Sequence, residues 1–221
     1  VSLSEIDARA VVTSIIHQLV HSGQIDTTGA PGILATLAAH HVLERVDYPQ
    51  TAFQFEHQQL QEFYATLELR ESLIDLHEDD TDSTFQFVSN YVNNPAWSEP
   101  LRMIAETFDF RADGSEPNMR STKAGIELVK MALTVDLVFA GELAQLCGAN
   151  VWSSVSAEVN ERFRYIYSMD DNNFRQCALT AMLATGAPDF IDVIVPILSG
   201  EDQQSRLSTY RLWSDIHVSS L

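Results

Sequence analysis

The segment 53–69 changes from one hydrophobic period to another within a few residues. Over residues 51–57, Phe53 and Phe55 alternate with polar neighbours, and this period of two predicts a half-buried strand. After the alternation ends, apolar side chains recur at helical spacing with no glycine or proline to interrupt them. The sequence therefore predicts a short strand that leads directly into an amphipathic helix, with His57 at the junction.

A histidine at such a junction has two possible roles. The N-terminus of a helix carries unpaired N–H groups and about half a positive charge, so it favours anions. The imidazole of His57 can donate one further hydrogen bond to a phosphate. A junction histidine can also be purely structural, and the sequence alone leaves both roles open.

Two helices and a hairpin are predicted around this junction. A capping box at Ser4 opens the first helix, which Gly23 ends. A second helix is predicted over residues 33–40, and residues 42–57 read as a β-hairpin. Helix, helix, hairpin and helix form the outline of a winged-helix module over residues 1–68. The first helix is expected to bury one apolar face, made of Ala8, Val11, Val12, Ile15, Ile16 and Leu19.

Residues 69–118 are predicted to form a helical connector. The acidic segment 71–82 is expected to be a solvated loop, because the fixed ligand positions of an EF-hand are missing. A helix over residues 97–108 is predicted ahead of a linker at 109–119, which is rich in Gly, Pro and polar residues. The helix between the loop and residue 97 is expected to pack three aromatic residues into the core: Phe85, Phe87 and Tyr91.

Paired helices are predicted over residues 119–221. Arg175 and Arg206 stand 31 residues apart, and each precedes an apolar helical face. This spacing resembles HEAT-like repeats, whose helix pairs stack because one pair alone cannot bury its apolar face. Ordinary helical packing without true repeats is the alternative. The predicted fold class is thus all-α apart from one small β-hairpin: a winged-helix-like module, a connector and a HEAT-like solenoid.

Charge excludes two classes of partner. The formal net charge is −18, from 31 acidic and 13 basic residues, whereas nucleic acids and anionic membranes require a basic face. The helix at 33–40 carries no Arg, Lys, Asn or Gln that could read base edges. No apolar run reaches the roughly 18 residues of a membrane span. Cys147 and Cys177 lack CxxC spacing and are predicted to be reduced thiols of a cytoplasmic protein.

The chain carries no recognisable catalytic or metal motif. It has neither the glycine-rich P-loop pattern of NTPases nor the G-x-S-x-G elbow of hydrolases. His17 and His21 lie one helical turn apart, but Gln18 replaces the glutamate that a zinc protease helix needs, and no third ligand is apparent. We therefore assign no catalytic residue, no metal site and no enzymatic activity to this chain by itself.

The junction resembles a known family. The motif F-x-F-x-H-x-x-x-Q-E-F-x-A resembles the end of the winged-helix module in NACHT-type NTPases of the STAND class, which are nucleotide-switched signalling proteins. A following Trp97-x-x-Pro100-Leu101 segment is similar to the helices that come next in such proteins, so the resemblance spans residues 30–108. The motif residues are Phe53, Phe55, His57, Gln61, Glu62, Phe63 and Ala65.

The resemblance implies a regulatory segment cut from a longer polypeptide. His57 is then expected to contact the phosphate of ADP held by the NTPase core of that polypeptide. ADP or ATP is expected as cofactor of the intact parent, and none for this segment alone. Gln61 and Glu62 are expected to position the helix. The residues expected to pack it are Phe55, Phe63 and Leu67.

The same resemblance implies partners. The trailing repeats are expected to sense a ligand or a protein partner, and the intact parent is expected to oligomerise. The alternative is a free-standing helical-repeat scaffold that mediates protein–protein interaction. A basic peptide or protein would suit its acidic surface.

Overall fold

The computed structural model describes residues 2–23, 30–47, 50–76, 81–108 and 119–199. Most of these residues are helical and the described strands form one three-stranded sheet, which confirms the all-α class. The chain divides into two compact units, unit 1 (residues 1–65) and unit 2 (residues 66–221).

Unit 1 is a small sheet with helices. Its elements are β1 (Ser2–Ser4), α1 (Glu5–His21), α2 (Ala30–Ala39), β2 (Leu43–Val46), β3 (Ala52–Phe55) and the start of α3 (Gln58–Ile74). The sheet order is β1-β3-β2 and both pairings are antiparallel, which confirms the predicted hairpin. Strand β1 was not expected. The predicted cap is present, because Ser4 Oγ accepts a hydrogen bond from the Asp7 amide at 3.2 Å.

The core of unit 1 is small. It consists of Ala8, Leu34 and Phe53, with two half-buried neighbours. The predicted apolar face of α1 is therefore wrong in part, since Val11 and Ile15 are 48% and 47% exposed. Each strand has only three or four residues, so the described part of the sheet offers few apolar side chains for α1 to pack against.

Unit 2 contains the remaining helices. They are α4 (Thr81–Phe87), which continues as a π-helical turn (Val88–Val92), α5 (Ser98–Thr107), α6 (Met119–Leu133), α7 (Leu137–Leu146), α8 (Gly148–Tyr167), α9 (Asn172–Ala184) and α10 (Ile191–Ser199). Asp136 and Asp171 cap α7 and α9 through their side-chain oxygens. Gly186 follows the C-cap residue Thr185 of α9 and adopts φ +60°, a conformation that favours glycine.

The helices of unit 2 share one hydrophobic core. Helix α7 packs against α5, α6, α8 and α9, while α6 also packs against α8. The core draws on the predicted connector as well as on the predicted repeats, from Leu69 to Phe190. The second repeat, at residues 203–213, and the linker residues 109–118 lie outside the described residues. The predicted domain limits at 68 and 118 stay predictions.

Two expectations for the connector are wrong in part. Helix α3 continues to Ile74, so residues 71–74 are helical rather than part of an acidic loop. Phe85 is 71% exposed, whereas Phe87 is buried and its ring lies 5.0 Å from that of Tyr91. Residues two apart in a helix point to nearly opposite sides, so Phe85 and Phe87 do not both face the core.

An arginine joins α8 to α10. Both Nη atoms of Arg164 donate to the Asp192 carboxylate at 2.8 Å, and Nη2 also donates to the Asp189 carbonyl at 2.7 Å. The guanidinium carbon lies 5.7 Å from the centre of the Phe190 ring. The hydrogen bond from Arg164 holds the pKa of the Asp192 carboxyl below its usual value.

We expect the ion pair between Arg164 and Asp192 to make the free energy of unfolding depend on pH in the acidic range. The pKa of the Asp192 carboxyl is lower in the folded chain than in the unfolded chain. Its contribution to the free energy of unfolding is therefore present above the unfolded pKa of about 3.9, and it is lost as pH falls through the folded pKa. Urea unfolding at about pH 7 and about pH 3 measures the loss. Wild type should lose more stability than Asp192→Asn, whereas Asp75→Asn, at an exposed position, should behave like wild type. Equal losses in wild type and Asp192→Asn contradict the prediction.

Candidate functional site

His57 lies at the junction that the sequence predicts. It follows β3 by one residue and directly precedes the first residue of α3. The His57 carbonyl accepts hydrogen bonds from the amides of Leu60 at 3.1 Å and Gln61 at 3.3 Å. These are the first bonds of the helix, so His57 occupies the N-cap position of α3.

The His57 side chain is open to an outside ligand. The residue is exposed, and its ring makes no hydrogen bond or ion pair with any other described residue. The first turn of α3 contains no acidic side chain that would compete for the positive end of the helix. The helix terminus and the imidazole therefore offer hydrogen-bond donors at the same place.

Aromatic rings join the two elements that flank His57. The ring of Phe55, at the end of β3, stacks on Tyr64 of α3 with centroids 5.7 Å apart and planes at 23°. Phe63 meets Tyr64 edge to face at 5.5 Å. Because these contacts link β3 to the second turn of α3, they restrict the angle at which the strand enters the helix.

The expected packing of α3 is only partly right. Phe63 and Leu67 are 46% and 47% exposed. The buried positions of α3 are Thr66, Leu69 and Leu73. These three fall on one stripe at spacings of three and four residues, and Phe63 and Leu67 lie on its flank.

A contact between His41 and Glu56 was missed by sequence reasoning. His41 Nδ1 lies 3.0 Å from both carboxylate oxygens of Glu56. The contact directs the Glu56 carboxylate toward the hairpin, although Glu56 is the chain neighbour of His57. The hairpin register contained a signal: Leu43 pairs with Phe55, so continuing the ladder by one or two residues brings His41 near Glu56.

Gln61 and Glu62 are half-buried on α3. The Glu62 carboxylate accepts a hydrogen bond from the side-chain amide of Gln58 at 2.6 Å. The backbone N–H of Gln61 donates to the His57 carbonyl oxygen. Both residues thus belong to the first turns of the helix behind His57. Their expected role in positioning the helix stays a prediction.

The described residues outside the His57 junction were compared with the requirements of a metal site, a reactive thiol and a membrane span. Within the described ranges, no group of three or more His, Cys, Asp or Glu residues is arranged to hold a metal ion, and His17 and His21 are exposed. Cys147 is buried, and burial raises the pKa of the half-buried Cys177 thiol, which disfavours the nucleophilic thiolate. No helix in the described part of the chain is both long and apolar enough for a bilayer.

A groove of about 660 Å³ lies between α6 and α8 in unit 2. Its lining consists of Lys130, Leu133, Thr134, Glu158, Glu161, Arg162 and Tyr165. Side chains of both charges therefore face this groove, with an aromatic ring at its edge.

Comparison of the chain with protein-family models, with curated proteins and with solved structures found no match. The resemblance to NACHT-type proteins therefore stays a prediction from the junction motif.

Proposed function

We propose that this chain is a regulatory segment of a nucleotide-switched signalling ATPase of the NACHT or STAND type. The observation that carries the proposal is the exposed imidazole of His57 at the N-terminus of α3, with no partner among the described residues. Two helices, a hairpin and a third helix, with a sheet of order β1-β3-β2, agree with a winged-helix module. In this proposal the segment couples nucleotide state to oligomerisation or to partner sensing.

The proposed mechanism is a contact made in one state only. His57 donates a hydrogen bond to a phosphate oxygen of ADP that the NTPase core of the same polypeptide holds. A switch requires such a difference in interaction free energy between the closed and open states. A hydrogen bond to a charged group contributes about 1.5–3 kcal/mol. That shifts a closed–open equilibrium by about ten-fold or more.

The second part of the proposal concerns the helices of unit 2. Helix α7 lies against α5 and α9, and α6 lies against α8, so consecutive helices alternate between two layers. This arrangement agrees with HEAT-like repeats, which present extended surfaces to partners. We assign partner or ligand sensing to this unit.

We expect His57→Ala to increase spontaneous oligomerisation of the intact polypeptide. Losing the phosphate contact removes free energy from the closed state, so the open, oligomerising state gains population. Light scattering after gel filtration, without an activating ligand, measures the oligomeric fraction. His40→Ala, at another exposed histidine of unit 1, is the matched control and should behave like wild type. An unchanged oligomeric fraction in His57→Ala contradicts the proposal.

The groove between α6 and α8 favours a second function, a helical-repeat scaffold that binds a protein partner. The coding sequence upstream of Val1 discriminates between the two. A P-loop and an acidic Walker-type strand there support the nucleotide switch, and an unrelated leader supports the scaffold. ATP turnover by this chain alone contradicts both.

A further inference from the structure

Three charged side chains in the groove between α6 and α8 have no partner in the described part of the chain. Glu158, Glu161 and Arg162 are exposed on α8, and none of their side chains makes a hydrogen bond or an ion pair with another described residue. The fourth charged side chain of the lining, Lys130, is already paired, because its Nζ donates to Glu127 Oε1 at 3.2 Å. Arg162 follows Glu158 by one helical turn, a spacing that often forms an ion pair, but the two do not pair here. Two carboxylates and one guanidinium are therefore available to a ligand.

These charges share one side of α8 with an aromatic ring. The four residues of α8 that line the groove follow each other at helical spacing: Glu158, Glu161, Arg162 and Tyr165. The side chain of Tyr165 is 58% exposed, and its ring contacts no other ring among the described residues. Leu133, at the end of α6, belongs to the opposite wall. The groove thus combines charges of both signs with apolar surface.

An α-amino acid has the complementary chemistry. It carries an ammonium and a carboxylate on the same carbon atom, so it meets charges of both signs at neighbouring positions. Side chains three and four residues apart on a helix have Cβ atoms about 5–6 Å apart, which brings carboxylates and a guanidinium within reach of one small ligand. Both contacts would be charge-assisted hydrogen bonds, which are the stronger kind.

We propose that the groove between α6 and α8 binds a free α-amino acid with an apolar or aromatic side chain. The ammonium donates to the carboxylates of Glu158 and Glu161, Arg162 donates to the ligand carboxylate, and the ligand side chain lies against Tyr165 and Leu133. The groove volume of about 660 Å³ is within the range of about 300–1,000 Å³ that small-molecule sites have. This inference rests on the sensing role proposed for unit 2 and names its ligand.

A protein segment matches the three free charges less well. The first residue of a protein offers an ammonium and the last residue offers a carboxylate, but neither offers both on one carbon. Lysine and glutamate side chains of a peptide carry both charges, although on long flexible stems whose ordering costs free energy on binding. A free amino acid is therefore the better occupant.

A chemical-shift titration of the isotope-labelled 221-residue chain tests the proposal. The probe is L-phenylalanine, and the backbone amide signals of residues 158–165 are followed. We expect saturable shifts at about millimolar concentration, the affinity of a small ligand with a few contacts. N-acetyl-L-phenylalanine lacks the ammonium and L-phenylalaninamide lacks the carboxylate. Each should bind at least about three-fold more weakly, because each loses its ion pairs with one set of groove charges.

Variants of the groove charges identify the site. Glu158→Gln and Arg162→Gln should each weaken the binding of L-phenylalanine by at least about three-fold. Glu106→Gln is the matched control, because it removes an exposed carboxylate from α5 of the same unit, and it should bind like wild type.

Three results overturn the proposal. They are the absence of saturable shifts at residues 158–165, wild-type affinity in either groove variant, and equal binding of the free amino acid and one of its two derivatives. The last result shows recognition of one end of a protein chain, as in the scaffold alternative. No nucleotide takes part in the titration, so its outcome is separate from the test of the phosphate contact at His57.

Discussion

Replacing Phe190 by alanine is expected to lower the free energy of unfolding of unit 2 by about 3–5 kcal/mol. The side chain is 0% exposed. Its ring stacks on Phe163 at 5.9 Å and meets Trp152 edge to face at 6.5 Å. Removing the ring leaves a cavity against α8, to which Phe163 and Trp152 both belong, and it also deprives the Arg164 guanidinium of the ring beside it.

Urea unfolding followed by tryptophan fluorescence measures this loss, because Trp97 and Trp152 lie in the described part of unit 2 and residues 1–65 contain no tryptophan. Phe85→Ala is the matched control, since it removes the same ring from a position that is 71% exposed. It should change stability by no more than about 0.5 kcal/mol. The urea midpoint of Phe190→Ala should be lower than that of wild type, with little change in the dependence of the unfolding free energy on urea concentration. Similar losses in the two variants contradict the packing described for Phe190.

Gly141→Ala is expected to destabilise unit 2 by about 1–3 kcal/mol. Helix propensity alone predicts the opposite sign, because alanine is favoured over glycine inside a helix by about 1 kcal/mol. A Cβ at position 141 in α7 would lie 2.5 Å from the backbone oxygen of Ala181 and 3.2 Å from the Ala184 Cβ. Both residues belong to α9, so relief requires α9 to move as a whole.

Gly125→Ala in α6 is the matched comparison. A Cβ there would lie 2.9 Å from Val151 Cγ2 and 3.1 Å from Phe108 Cδ2, which are side-chain atoms that can adjust by small rotations. We therefore expect Gly125→Ala to destabilise less than Gly141→Ala. The same urea titration ranks the two variants. A gain in stability for Gly141→Ala would show that α7 and α9 lie farther apart than described.

The helices of unit 2 were largely predictable because their signals are local. Asp136 and Asp171 cap α7 and α9, and Val155, Val159 and Phe163 recur at helical spacing and are all buried in α8. Strand β1 carries no such local signal. It has three residues and is a strand only because it pairs with β3, about fifty residues later.

The candidate site was predictable in its position but not in its surroundings. The change from strand to helix period places His57 correctly, since that change is a property of consecutive residues. The exposure of Phe63 and Leu67 depends on which stripe of α3 meets other elements, and that is set by tertiary packing. The contact between His41 and Glu56 needs the register of the hairpin, which follows from its turn.

The most direct test of the central claim is the rate at which the intact polypeptide releases ADP. A fluorescent ADP analogue is loaded and then displaced with excess unlabelled nucleotide, in wild type, His57→Ala and His40→Ala. We predict that His57→Ala releases the analogue at least about ten-fold faster, as loss of a hydrogen bond to a charged phosphate requires, and that His40→Ala matches wild type. Equal release rates from all three proteins would contradict a phosphate contact at His57.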